Sequence, residues 1–225
     1  MESMVTPEYW TDKKVLVTGH TGFKGSWLCH WLLNMGAKVT GYALAPESED
    51  SMFKLLNLDT RTNSIIANIN NYEGLVRCVK ESNPDVVFHL AAQALVRPGY
   101  EDPLGTFETN ILGTANLLKA SASVSHHCDV IIVTSDKCYL NREDHHHYDE
   151  TDPLGGRDPY SASKACAEIV TASFRDSYCS PSGPHSNIHI ATARSGNVIG
   201  GGDFAVDRLI PDSIRARISN KTIEV

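Results

Sequence analysis

Tyr160 and Lys164 stand four residues apart in Pro159-Tyr-Ser-Ala-Ser-Lys164, a spacing that at helical pitch puts a phenol and an ammonium on one face. A phenol ionises near pH 10 in water, and a neighbouring cation favours the phenolate. Lowering its pKa by about three units takes about 4 kcal/mol of differential interaction. The pair would then be a base for an alcohol hydroxyl whose carbon gives up hydride. The spacing alone carries little weight, because Tyr9-x-x-x-Lys13 repeats it. That copy precedes the first apolar run and cannot reach the carboxyl ends of the strands. A hydroxyl to share the substrate oxygen stands in Val133-Thr-Ser135-Asp136-Lys137, where another apolar run ends. In a regular strand Ser135 and Lys137 share one face and Asp136 the other. The strand is therefore expected to stop at Ser135 and turn, so that all three reach one pocket.

A second constellation lies near the start of the chain. Thr18-Gly19-His-Thr-Gly22-Phe23-Lys-Gly25 joins an apolar strand to the helical segment SWLCHWLLNMG. GxxGxxG is a variant of the dinucleotide fingerprint, with glycines for the tight turn, for backbone approach to a pyrophosphate and for helix–strand packing. An acid should close the second strand to hold the ribose hydroxyls. That place reads Gly41-Tyr-Ala-Leu44, and the nearest acids, Glu47 and Glu49, come later. No Arg or Lys stands there for a 2′-phosphate, so the reading favours NAD.

These residues need a scaffold that brings strand ends together. Apolar runs predict strands over Val15–Thr18, Val39–Ala43, Ser64–Ala67, Val86–Leu90, Val130–Ser135 and Ile188–Arg194. Helical spacing falls between them over Gly22–Met35, Tyr72–Glu81, Pro103–Ser123 and Pro159–Tyr178. Asp158 suits an N-cap and Pro159 the first helical position. Short strands alternating with helices imply βαβ units in a doubly wound parallel sheet, Rossmann-like, with its site at the strands' carboxyl ends. Leu140–Asp158 reads as a polar loop over those ends, and loops of this length are usually functional.

The order GxxGxxG, His89-Leu-Ala-Ala92, Ser135 and Tyr160-x-x-x-Lys164 resembles the extended short-chain dehydrogenase/reductases that act on nucleotide sugars. Ser135-Asp136-Lys137 is similar to the catalytic strand end of the sugar-nucleotide 4,6-dehydratases. GHTGFKGSWL, TSDKCY and GGRDPYSASK resemble the branch of that family acting on CDP-glucose. Epimerases of the superfamily usually lack the acid at 136.

The resemblance implies C4 oxidation, loss of water across C5–C6 and hydride return to C6. Ser135, Asp136, Lys137, Tyr160 and Lys164 would be catalytic. Asp136 would need a pKa raised by its surroundings to act as an acid. Lys137 would need burial and the Lys164 charge to be neutral as a base. Thr18, Gly19, Gly22, Phe23 and Gly25 would cradle NAD. Asn68 and Ile69 stand where the family touches adenine, and Asn68 either makes that contact or turns the chain. Leu90, Ala91 and Ala92 line the cofactor or pack the core. Gln93 and Arg97 would face sugar or diphosphate, Asn197 the diphosphate, and Arg208 either a phosphate or solvent. A homodimer is implied through the helices after Pro103 and Pro159, with Leu117, Ala165 and Val170 as candidate contacts.

Composition excludes other classes. The 225 residues carry 20 basic and 27 acidic side chains, net −7, without a basic cluster, against nucleic-acid or membrane-surface binding. No apolar run approaches the ~20 residues of a membrane span, and MESMVTPEYWTDKK holds no signal-peptide core. A cytoplasmic protein with six reduced cysteines is expected. No metal is expected, because the adjacent His145, His146 and His147 do not converge. Trp27, Cys29 and Trp31 read as helix-to-sheet packing. The expected division is a nucleotide-binding domain over 1–194 and the start of a substrate lobe over 195–225. The strand-like pattern Lys221–Val225 has no turn after it, which suggests that this lobe is incomplete.

Overall fold

Six β-branched runs form one all-parallel sheet in the computed structural model, which describes residues 6–222. The strands are β1 (Lys14–Thr18), β2 (Lys38–Ala43), β3 (Asn63–Ile66), β4 (Val86–His89), β5 (Cys128–Val133) and β6 (Ile188–Ala193), in the spatial order β3-β2-β1-β4-β5-β6. The order reverses between β1 and β4, the crevice where such sheets take ligands.

The helices are α1 (Pro7–Trp10), α2 (Phe23–Asn34), α3 (Met52–Leu55), α4 (Leu58–Arg61), α5 (Tyr72–Ser82), α6 (Val96–Glu101), α7 (Pro103–Phe107), α8 (Gly113–Ser121), α9 (Pro159–Ser177) and α10 (Leu209–Ile218). Side chains start three of them. Asn71 caps α5 by accepting from Gly74 N at 3.0 Å, Asp102 caps α7 from Gly105 N at 2.9 Å, and Asp158 caps α9 from Ser161 N at 2.9 Å. The segment expected as one helix over Pro103–Ser123 is α7 and α8 joined by a π-helical turn, Glu108–Leu112.

Alternation along the strands fills two cores. Leu16, Val87, Val130 and Ile132 pack with Leu75, Val79 and Leu117 on one face. Val15, Val17, Val39 and Val86 pack with Cys29, Leu32, Phe53 and Leu58 on the other. All six cysteines are unpaired, and Cys29, Cys78, Cys128 and Cys138 are buried. Cys29 packs as expected, but Trp27 and Trp31 do not: they are 42% and 53% exposed, on the outer side of α2. Trp27 instead donates through Nε1 to Gly201 O at 2.9 Å.

Leu117 and Ala165 are buried within the chain and offer no surface to a second copy, contrary to expectation. The apolar side chains that α7, the π-turn and α9 expose are Leu104, Leu112 and Ile169. Among the described residues no helix is long and apolar enough to cross a membrane. After β6 the chain has turns but no regular element until α10, and residues 223–225 of the strand-like C-terminal pattern lie outside the described residues.

Candidate functional site

The carboxyl ends of β1, β2 and β4 surround a cleft of about 660 Å³, within the range of small-molecule sites. Its floor is the glycine turn. Gly19 has φ +75°, and a Cβ there would meet Ala91 N and the Leu90 carbonyl carbon at 2.7 Å. Gly25 faces the Gly19 carbonyl so closely that a Cβ would overlap it. Those two glycines are required by the protein's own packing. Gly22 is different: a Cβ on it would touch only Gly19 O, at 3.4 Å, and the residue is exposed at the N-cap of α2. Its bareness leaves a helix N-terminus open to an anionic group, the fit a pyrophosphate requires.

Phe23, Asn68, Ile69, Leu90, Ala91, Ala92, Gln93 and Arg208 also line the cleft. Asn68 lines the cleft, and its Oδ1 accepts from Asn70 N at 2.9 Å, which turns the chain there. Glu47, four residues beyond the expected strand end, lines the side nearest β2.

Thr18 is fully buried and does not line the cleft; it belongs to a neutral network beneath it. The Thr114 hydroxyl donates to Asn110 O at 2.7 Å, so His89 Nε2–H is the donor to Thr114 Oγ1 at 3.1 Å. His89 Nδ1 then accepts from the Thr18 hydroxyl at 2.7 Å, and Ala91 N donates to Thr18 Oγ1 at 3.3 Å. This donor order closes only around a neutral imidazole, and burial lowers the His89 pKa to about 3, with the Lys164 charge adding. His20 of the glycine turn is also buried: its Nε2 pairs with Ser64 Oγ at 2.8 Å, and burial lowers its pKa to about 4.

The catalytic candidates gather at the carboxyl end of β5. β5 stops at Val133, two residues sooner than expected, but Thr134 N and Asp136 N still bond Ala193 O and Ser195 O at 2.9 and 3.0 Å. A 3₁₀ turn, Asp136–Cys138, follows, as the single-pocket expectation required. The Ser135 hydroxyl reaches Asp136 Oδ1 at 3.0 Å and accepts from Lys137 N at 3.2 Å. Ser135 is also close enough to the Tyr160 phenol to favour its ionised form. Lys137 Nζ lies 4.0 Å from Asp136 Oδ1.

The electrostatics depart from the sequence argument in two places. Asp136 and Lys137 side chains are 51% and 41% exposed, so the described residues do not provide the burial expected to tune them. The buried lysine is Lys164, whose Nζ donates to Val133 O at 3.3 Å. Burial, reinforced by the Lys24 charge and opposed by Glu168, lowers its pKa to about 8. The Tyr160 phenol is pushed up by burial, and the nearby Ser135 hydroxyl and the Arg208 charge pull against that. None of the five catalytic candidates lines the large cleft; they stand beside it.

Three residues that the motifs did not single out hold this arrangement. Glu168 lies one turn beyond Lys164 on α9 and receives both Arg194 Nε and a terminal nitrogen at 3.0 Å, with a further bond from the Thr134 hydroxyl. The Arg194 guanidinium lies over the Tyr139 ring, 4.9 Å from its centroid. Burial pushes the Glu168 carboxyl up, but hydrogen bonds from Arg194, Thr134 and Thr192 win and hold it below its usual range. The pair thus ties α9 to both sides of the catalytic turn. The third residue, Asn110 in the π-turn, donates to Gln93 O and Ser163 Oγ at 2.9 and 2.8 Å. The readable signal for Glu168 was the i, i+4 series Tyr160, Lys164, Glu168; Arg194 and Asn110 carried none.

Arg97 stands outside the cleft lining, paired with Asp207 at 2.9 Å, and Asn197 is exposed. Tyr9 and Lys13, the second copy of the spacing, stack at 5.3 Å before β1, at the far end of the sheet.

Residues 16–214 match the family model described as GDP-mannose 4,6 dehydratase. The CDP-glucose 4,6-dehydratase of Salmonella typhimurium is 47% identical over 221 residues, which cover 98% of this chain and 62% of the relative. The chain thus spans less than two thirds of that relative's length. Among solved structures, the UDP-glucuronic acid 4-epimerase of Bacillus cereus in complex with UDP-glucuronic acid and NAD superposes with a TM-score of 0.77 at 25% identity, covering 92% of this chain and 63% of that one. MoeE5 in complex with UDP-glucuronic acid and NAD superposes with a TM-score of 0.73 at 28% identity, covering 90% and 60%.

Proposed function

We propose, from the premise that this chain belongs to the GDP-mannose 4,6-dehydratase family, that it carries the NAD-binding and catalytic part of an enzyme dehydrating CDP-glucose to CDP-4-keto-6-deoxyglucose. The observation that carries this reading is the 3₁₀ turn that sets Asp136 Oδ1 3.0 Å from the Ser135 hydroxyl. An epimerase has no use for an acid there, whereas a dehydratase needs one to protonate the departing hydroxyl.

The cleft suits NAD: Gly22 leaves the α2 N-terminus open, and Glu47 is the charged side chain at the end nearest β2, suited to ribose hydroxyls. NAD, when bound, supplies the acceptor for the C4 hydride and returns that hydride at C6.

Tyr160 takes the proton of the sugar 4-hydroxyl, with Ser135 sharing the oxygen through its hydrogen bond. Lys164, buried below the phenol's helix face, keeps a positive charge at neutral pH that favours the phenolate. The C4 ketone acidifies the C5 proton, which Lys137 removes, and a proton goes back to C5 from Lys137 once the hydride has returned to C6. Asp136 gives a proton to the 6-hydroxyl as water leaves. Because Asp136 and Lys137 are exposed in the chain itself, the dry surroundings their chemistry needs come from the bound sugar nucleotide.

Gln93 and Arg208 at the cleft, with Arg97 and Asn197 beyond it, are the candidate sugar and diphosphate contacts. The division at 194/195 into nucleotide domain and substrate lobe is part of the same proposal. So is a homodimer, supported by the exposed Leu104, Leu112 and Ile169.

The test is incubation of the whole gene product with CDP-glucose and NAD in D₂O, followed by NMR. A 4-keto-6-deoxy sugar with deuterium at C5 is expected. A C4 epimer without deuterium would make the protein an epimerase. Preference for GDP-mannose or UDP-glucose would keep the dehydratase chemistry and change the base.

A further inference from the structure

A second chemically distinctive cluster sits at the opposite end of the sheet. Asp129 and His189 face each other directly in the β5–β6 ladder, and His127 precedes Asp129 by two residues, the spacing that returns a side chain to the same face. Asp129 Oδ1 is 3.1 Å from His127 Nε2 and 3.7 Å from His189 Nδ1. The three donor atoms all lie within 4.8 Å of one another. The two imidazoles meet edge to face with centroids 4.5 Å apart. His126 and Asp85 form an adjacent pair at 3.5 Å, so two carboxylates and three imidazoles share this corner.

Around a tetrahedral ion with metal–nitrogen and metal–oxygen bonds of about 2.0–2.1 Å, neighbouring donors stand about 3.3–3.4 Å apart. The two Asp129–histidine separations bracket that figure, and two imidazoles with one carboxylate are a donor set for borderline divalent ions. Asp129 and His189 project from paired strands and His127 from the residue just before β5, which holds the three close together. Nothing in the dehydration chemistry uses them: about 16 Å of strand separates them from the catalytic turn.

We propose that His127, Asp129 and His189 bind a divalent transition-metal ion of the zinc class, with water completing its shell. The ion would pin β6, an edge strand with one face exposed, to its neighbour β5. The site departs from the expectation of a metal-free chain because residues 127 and 189 meet only through strand pairing, invisible to local spacing.

Metal-stripped protein would be titrated with Co²⁺ and Zn²⁺, followed by calorimetry, Co²⁺ visible absorption and thermal unfolding. One equivalent should bind and raise Tm. His189→Gln and Asp129→Asn, both at exposed or half-exposed positions, should each weaken binding at least about tenfold and abolish the Tm rise. A triple variant, His145→Gln/His146→Gln/His147→Gln, should bind like the wild type. Absence of a stoichiometric site, full binding by His189→Gln, or loss of binding in the triple variant would each overturn the proposal.

Discussion

The two halves of the site are held by opposite kinds of force. Beneath the nucleotide cleft lie backbone contacts at Gly19 and Gly25 and the neutral chain Ala91–Thr18–His89–Thr114–Asn110. Behind the catalytic turn lie buried charges: Lys164 under β5, and Glu168 against Arg194. A binding surface for a polyanion is best built from a rigid neutral floor, since only the ligand then brings charge. A proton-transfer site needs fixed charge nearby to move pKa values. The contrast therefore follows the division of chemistry between the halves, and it can be attacked experimentally from either side.

The largest effect is expected from Glu168→Gln, which keeps the shape and leaves Arg194 buried without its counter-charge. Breaking a buried pair from one side costs about 3–5 kcal/mol, to be read from urea unfolding. Removing both charges with Glu168→Gln/Arg194→Met should recover part of that loss. If the single variant costs under about 1 kcal/mol, the charged half is not held by charge.

Acid strikes the other half. His20 and His89 have folded pKa values lowered to about 4 and about 3, against about 6.5 unfolded. Their contribution is complete above pH 6.5. It drains as the pH falls, because the unfolded chain binds protons that the folded one refuses. Between pH 7 and pH 5 each should remove about 2 kcal/mol, visible as a falling urea midpoint.

Next comes a pair of glycines. Gly19→Ala meets both a positive φ and the Ala91 backbone, and should cost about 3 kcal/mol. Gly22→Ala should change stability by less than about 0.5 kcal/mol yet weaken NAD binding about tenfold or more, measured by calorimetry. Equal behaviour of the two would erase the distinction between a structural and a ligand-facing glycine.

The smallest stability effect belongs to Asp136→Asn and Lys137→Met. Both are exposed, so unfolding should shift by less than about 0.5 kcal/mol while dehydration falls about 100-fold or more.

What could be read beforehand follows from the range of the interactions. The strands were legible because buried parallel strands are runs of Val and Ile, and the boundaries were off by only one or two residues. The glycine turn and the YxxxK helix with its Asp158 cap were legible because their chemistry is local. Arg194, fully 26 residues from Glu168, was not, and neither was the exposure of Lys137 in place of the expected burial. Both depend on which strands become neighbours. The π-turn escaped because its sequence, Glu-Thr-Asn-Ile-Leu, keeps ordinary helical composition.

That π-turn has a consequence for chain length. A π-turn holds one residue more than the α-helix would need, and here it turns Asn110 inward between Gln93 and Ser163. Deleting a single codon between 108 and 112 would make the helix more regular. It would leave α7 and α8 nearly in phase, but it would remove the widened turn that holds Asn110 between Gln93 and Ser163. This stretch should therefore resist in-frame deletions while tolerating point changes at exposed positions such as Leu112, a pattern that deep mutational libraries containing single-codon deletions would reveal.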